Sequence, residues 1–387
     1  MKKLSLVFSD IEVGGGDVFD DFVEEDLFCK VLRAHFEEAK QYNSEIILNG
    51  DIFDFLKCTY KGKHPRHITE KISLYKLNRM HKAHPKFFKL LRDWMANSPK
   101  SRIVFVLGNH DFDLIFPGVQ EKLKEFIVGK NESWKERIIF PGFYYENGII
   151  AAEHGSQLDT FFKVDPQNLV SNIPNKYVQE PFLVLPWGYN GIYDHFIHLK
   201  KAFPILEKLY PKEKILEILP LNFKKNILLG SGLFLLKSFF YTQFKYWDDP
   251  LYRFSTLELF NYVSSLFRKQ FDLIVETKAI MKVKKAKYKV LFIGHSHDAD
   301  VHTTKSGTVV NSGLWVDDYF YFRKNRAFMP VDKSYGYIVH NEEHVEKISL
   351  IRVPSKQKRI TVKDVRNMYK KHKDKIDLFF GLQSSNI

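Results

Sequence analysis

Short apolar runs rich in branched residues recur at positions 4–8, 45–48, 103–107, 149–152 and 290–293. Each is bounded by polar or glycine-containing segments, the pattern of short strands buried on both faces. Between the first three runs the period changes. Residues 28–40 and 69–95 carry apolar side chains at helical spacing, the second stretch interrupted near Pro85. Strands alternating with helices predict an α/β sheet with helices on its faces. In such sheets ligands gather beyond the C-terminal ends of the strands. Further strands are expected at 308–310 and 335–340.

The pattern is different between about Asp165 and Lys289. No strand followed by polar ligands occurs there, and aromatic residues are frequent. Ser255-Thr256-Leu257-Glu258 has the form of a capping box. Leu259, Phe260, Val263, Leu266, Phe267, Phe271, Leu273 and Ile274 then make a broad apolar stripe. The most apolar piece, 227–240, has only eleven residues between Lys225 and Lys237. A membrane-spanning helix needs about 20, so this segment predicts an internal helix of a cap or one lying in a membrane interface. The expected organisation is a discontinuous core at 1–165 and 290–350, a helical insertion at 166–289 and a basic helical tail at 351–387.

Composition narrows the class. With 44% hydrophobic residues and 35 Phe, the chain can bury a substantial core and is not a disordered one. Two cysteines, Cys29 and Cys58, suggest no disulfide framework and favour a reducing cytosol. The start, Met1-Lys2-Lys3 followed directly by a strand-like run, does not read as a signal peptide. The net charge of +13 favours an anionic partner: a phosphorylated substrate, a lipid surface on the inner face of a membrane, or nucleic acid. Each lysine run also reads as a solvated face.

The polar residues after the strand-like runs carry the chemistry. Asp10-Ile11-Glu12, Gly50-Asp51, Gly108-Asn109-His110-Asp111, Glu153-His154-Gly155 and Gly294-His295-Ser296-His297 each follow one run. Singly, each is a weak signal, since Gly-Asp is commonly a turn. In conjunction they supply carboxylate, amide and imidazole donors at the ends of five strands. Such mixed nitrogen and oxygen donors suit Mn²⁺, Fe or Zn²⁺ better than Ca²⁺. The i, i+2 spacing of His295 and His297 puts both rings on one side of an extended segment. Cys58, His64, His67, His81 and His84 match no zinc-finger spacing.

This order of Gly-Asp, Gly-Asn-His-Asp, His-Gly and Gly-His-x-His resembles the calcineurin-like metallophosphoesterase superfamily. The resemblance covers roughly residues 1–165 and 290–345. It implies an α/β (α+β) fold, a two-sheet β-sandwich flanked by helices, with a dinuclear metal site at its edge. Asp10, Asp51 and His297 would hold one ion, and Asp51, Asn109, His154 and His295 the other. His110, paired with Asp111, would be the catalytic histidine. The implied reaction is hydrolysis of a phosphomonoester, phosphodiester or pyrophosphate by a hydroxide shared between two divalent ions, Mn²⁺ foremost. The family's Asp-x-His is here Asp10-Ile11-Glu12. Glu12 is expected to ligate through oxygen and to tilt its site towards Mn²⁺ or Mg²⁺, or else to swing away and leave that site weak.

Three readings stay open. The insertion resembles the helical cap of the UDP-diacylglucosamine pyrophosphatase-like branch, although His110 stands where that branch usually has Arg. The charge fits a nuclease or nucleotide phosphodiesterase, whose binding would fall steeply with salt. Glu12 alone supports a non-catalytic metal-binding scaffold.

Overall fold

The computed structural model describes residues 2–159, 162–174, 177–186, 189, 196–240, 244, 249, 251 and 271–385. Contacts divide the chain into two units. The first comprises Met1–Leu183, Leu259–Val316 and Lys333–Val353; the second comprises Val184–Glu258, Asp317–Asp332 and Pro354–Ile387.

The first unit is built on two sheets. The strands of these two sheets are β1 (Lys3–Phe8), β2 (Asn43–Asn49), β3 (Arg102–Val106), β4 (Ile138–Gly142), β5 (Tyr145–Asn147), β6 (Ile150–Ala152), β7 (Val290–Ile293), β8 (Asp300–Thr304), β9 (Gly307–Asn311), β10 (Lys333–His340) and β11 (Val345–Val353). One sheet has the order β11-β10-β1-β2-β3-β4, the other β8-β9-β7-β6-β5. β1 to β4 run parallel, as do β6, β7 and β9. Period-two alternation explains how the sheets meet. Val7, Ile47, Val104 and Val106 of the first sheet interdigitate with Ile150, Ala152, Val290, Phe292 and Val310 of the second. The outward residues of the first sheet lie under an aromatic layer in which Phe8 packs on Phe28 and Phe105 on Phe53. The outer face of the second sheet, including Ala151, Leu291 and Ile293, is covered by Val275, Ala279 and Val283 of the helix Phe271–Val283. The result is the expected sandwich flanked by helices.

The expected runs coincide with β1, β2, β3, β6, β7, β9 and β10 to within a few residues. The helical stretch at 69–95 is two helices, Glu70–Ala83 and Pro85–Asn97, with Pro85 opening the second. The stretch at 28–40 divides into Glu25–Arg33 and Phe36–Ala39.

The second unit has its own core. Leu199, Phe203, Ile215 and Phe223 pack with Tyr319 and Phe328 of a hairpin and with Val365, Tyr369, Ile376 and Phe380. The last four belong to the helix Val362–Ser385. The basic tail is therefore amphipathic and seated in a core, and not merely a solvated appendage. Among the described residues no helix is long and apolar enough to cross a membrane. The capping box at 255–258 and the stripe positions 259–267 lie outside the described residues.

Candidate metal centre

The first unit carries the candidate site where its parallel strands end. Asp10 and Glu12 follow β1, Asp51 follows β2, Asn109 and His110 follow β3, His154 follows β6, and His295 and His297 follow β7. The backbone there is unusual. Among the described residues seven non-glycine positions have left-handed φ, and five of them are Asp10 (51°), Glu12 (50°), Asp51 (51°), His295 (71°) and His297 (61°). Each such position costs about 1–2 kcal/mol, and strain of this kind concentrates at functional sites. The turns are tight enough to exclude side chains from their neighbours. A Cβ on Gly108 would collide with the Asp51 carboxylate and backbone nitrogen, and one on Gly50 would lie 2.5 Å from His154 Cγ.

Asp51, His154 and His295 converge, each offering a ligating atom within 4.8 Å of the others. His154 Nε2 is 3.0 Å from Asp51 Oδ2 and 3.2 Å from Asn109 Oδ1. Its Nδ1 lies 3.0 Å from the Asn49 carbonyl, which can only accept, so Nδ1 carries a proton and, once Nε2 gives up its own, that lone pair faces inward. His295 is set in the same way. Its Nε2 lies 3.1 Å from Asp159 Oδ2 and its Nδ1 2.9 Å from Asn109 Oδ1, and the tautomer protonated on Nε2 leaves the Nδ1 lone pair facing the site. Asp10 Oδ1 is buried without a hydrogen bond, 3.3 Å from His297 Nε2 and 3.9 Å from His154 Nε2. Lone pairs thus point at lone pairs, which requires protons or a cation between them. Donor atoms bound to one ion at about 2.1 Å sit about 3 Å apart along an octahedral edge, and the observed spacings match. The residues fit a divalent metal.

The electrostatics agree. Burial opposes charge on His154, but Asp51 and Asp10 outweigh it and push the imidazole up to about 9. Asp10 and Asp51 are correspondingly held below the usual carboxylate range, burial being overcome by His154 with His297 for the first and by His154 with His110 for the second. His110 is raised to about 10 despite burial, because Glu12, Asp51 and Asp54 surround it.

One expected role is altered, and Glu12 falls within its two expected readings. Asp111 does not orient the His110 ring. Its carboxylate accepts the Gly108 and Ile52 N–H groups at 2.6 and 2.8 Å, pinning the ends of β3 and β2 together. His110 Nδ1 instead meets Asp54 Oδ1 at 3.1 Å. Glu12, expected either to ligate or to swing away, gives one oxygen to a lysine. Its Oε2 accepts from Lys57 Nζ at 2.7 Å, and it groups with Asp54 and His110 as a second set of donors within 4.8 Å. Burial pushes the Glu12 carboxyl up, to about 7, against the pull of Lys57 and His110. Asp159 and Lys57 carry parts of the site that the sequence motifs did not indicate. His64, His81 and His84 are engaged separately by the Lys57 carbonyl, the Phe126 ring and Asp20.

No family model and no curated protein matches the sequence. Solved structures with a partial likeness include a conserved protein described as a predicted phosphoesterase from Streptococcus pneumoniae, at 8% identity over 93% of this chain and 96% of that one, with a TM-score of 0.27. A dimetal phosphatase from Danio rerio shares 11% identity over 93% and 98%, with a TM-score of 0.32. A putative 5'-nucleotidase from Staphylococcus aureus shares 13% identity over 97% of this chain but 58% of that protein, with a TM-score of 0.33. At such values the likeness decides nothing about chemistry here. What the fold and site themselves define is a two-sheet α/β sandwich with a buried cluster of divalent-metal donors at its strand ends.

Proposed function

We propose that the chain is a metal-dependent phosphoester hydrolase of the calcineurin-like metallophosphoesterase type. The observation that carries the reading is the convergence of Asp51, Asn109, His154 and His295 from four strand ends, with Asp10 and His297 beside them. Bound divalent ions, two on this reading, would supply Lewis acidity to a phosphoryl group and lower the pKa of water. The chain's own residues do the rest. Asp51, Asn109, His154 and His295 would hold the first ion, with Asn49 and Asp159 fixing the two rings. His110, raised to about 10 and held by Asp54, is an imidazolium at neutral pH. From Nε2 it can neutralise a phosphoryl oxygen or give its proton to the leaving oxygen. The mixed nitrogen and oxygen donors suit Mn²⁺, Fe or Zn²⁺, of which Mn²⁺ is the ion proposed.

Hydrolysis of bis(p-nitrophenyl) phosphate by chelator-treated protein resupplied with Mn²⁺ tests the reading. Turnover restored by metal and abolished in His154→Ala and Asp51→Asn supports it. Tight metal binding with no turnover on mono-, di- or pyrophosphate esters points to the scaffold instead.

A lipid surface as a further partner is supported by the second unit. The helix Leu221–Phe240 is apolar nearly all round, which calls for cover on both sides. Phe223 is buried in the unit's core, while Leu229 and Leu236 are each 62% exposed, with exposed Lys224 and Lys225 on the same helix. Apolar residues flanked by lysines suit an anionic interface.

A further inference from the structure

Lys57 sits beside the candidate centre in surroundings unusual for a lysine. It is 5% exposed, and its ammonium meets three carboxylates that are at least as buried. Glu12 Oε2 lies at 2.7 Å, Asp21 Oδ2 at 2.9 Å and Asp54 Oδ2 at 3.1 Å. The first two contacts are hydrogen bonds from the ammonium, and Asp54 adds an ion pair beside them. The lysine is itself fixed in place. Its backbone N–H donates to Asp54 Oδ1 at 2.9 Å, and its carbonyl lies 2.8 Å from His64 Nε2.

Glu12 is thereby drawn to the Asp54 and His110 side of the site. For its Oε2 to turn to an ion shared with Asp10 and His297, Glu12 would have to give up the hydrogen bond from Lys57. One buried N–H would then lose its partner, and breaking a buried ion pair is strongly unfavourable. The donors remaining on that side are Asp10, Asp51 and His297, with Asp10 Oδ1 lying 3.3 Å from His297 Nε2. The other side retains Asp51, Asn109, His154 and His295, with both rings set by outer hydrogen bonds.

We propose that Lys57 withholds Glu12 from the metal shell and so makes the two ion sites unequal, the weaker one held by Asp10, Asp51 and His297 alone. The inference rests on the metal-dependent reading above. It makes the centre responsive to metal supply: the site with four donors fills first, and the site with three fills only when the free ion is more abundant. Lys57 is a positioning residue here, since it touches neither ion.

The test is a calorimetric Mn²⁺ titration of the full, chelator-treated chain, with electron paramagnetic resonance reporting when two ions become neighbours. Two steps separated by at least tenfold are expected. His297→Ala should remove the second step and leave the first. Glu12→Gln, nearly isosteric and still able to accept from Lys57, should move the second step by less than threefold. Melting curves confirm that each variant is folded before titration. Two indistinguishable steps, or loss of the second step in Glu12→Gln as in His297→Ala, would overturn the proposal. Failure of the native chain to bind any ion more tightly than millimolar would instead sink the metal-dependent reading on which it rests.

Discussion

Metal uptake should expel a proton well above the pH at which an ordinary histidine would have lost its own. His154 is raised to about 9 by Asp51 and Asp10 against the opposing effect of burial, so the metal-free centre holds a proton on Nε2 at neutral pH. A metal ligand must be the neutral ring. The sign follows: protons compete with the ion, and apparent affinity rises with pH until about 9. Between pH 6 and 8 the apparent association constant should rise about 100-fold, roughly 2.7 kcal/mol at 1.36 kcal/mol per unit. The sharpest contrast is at pH 8. There a group titrating at about 9 is about 90% protonated, while one at the ordinary 6.5 is about 3% protonated. Calorimetry of Mn²⁺ binding in buffers of different ionisation enthalpy counts the protons released. About one proton per first ion at pH 8 is expected, and none from His154→Ala. A count near zero for the native chain would refute the reasoning, because the carboxylates would not be raising the imidazole.

Other consequences are as direct. Asp54→Ala should lower kcat on bis(p-nitrophenyl) phosphate by about 100-fold with little change in metal content, the size expected for a positioned acid; an unchanged kcat would remove Asp54 as the partner of His110. His84 lies 2.7 Å from Asp20 and 3.7 Å from Glu25 and is raised to about 9, those carboxylates outweighing burial. Its contribution is complete below about 6.5 and lost as pH rises through about 9, about 2 kcal/mol after allowance for partial solvent screening. Native protein should therefore lose more thermal stability between pH 7 and 9.5 than His84→Gln does; equal losses contradict the pairing. Replacing Leu229 and Leu236 by Ser should reduce sedimentation with phosphatidylserine vesicles severalfold without changing turnover of a soluble ester, and unchanged sedimentation would dismiss the lipid surface.

The strands were legible because they are buried on both faces and need almost uninterrupted apolar sequence. Their ends were less so, since pairing sets them: β2 begins at Asn43 because Lys3 lies opposite. The donors at the strand ends could be read because each is local to its strand. The contacts between loops could not. Nothing in the sequence brings Asp21 to Lys57 or Asp159 to His295, and proximity in sequence misled in the case of Asp111, where the neighbouring loop supplies Asp54. The packing of the tail carried a readable signal. Val365, Tyr369, Ile376 and Phe380 keep helical spacing among the lysines, and the abundance of charge obscured it. The grouping of 317–332 with 184–258 rests on side-chain packing of Tyr319 and Phe328 and on a two-residue pairing of Leu209–Tyr210 with Tyr319–Phe320, too short to announce itself.

The antiparallel pairing of β1 with β10, which sets Lys3 opposite His340, has a consequence for biosynthesis. When β1 emerges from the ribosome, one of its two edges has no complement until more than three hundred further residues have been translated. At about 5–20 residues per second that interval is tens of seconds. A nascent chain with an unpaired hydrophobic edge for so long is a natural client for a chaperone, and slowed elongation before residue 333 should increase aggregation of ribosome-bound intermediates.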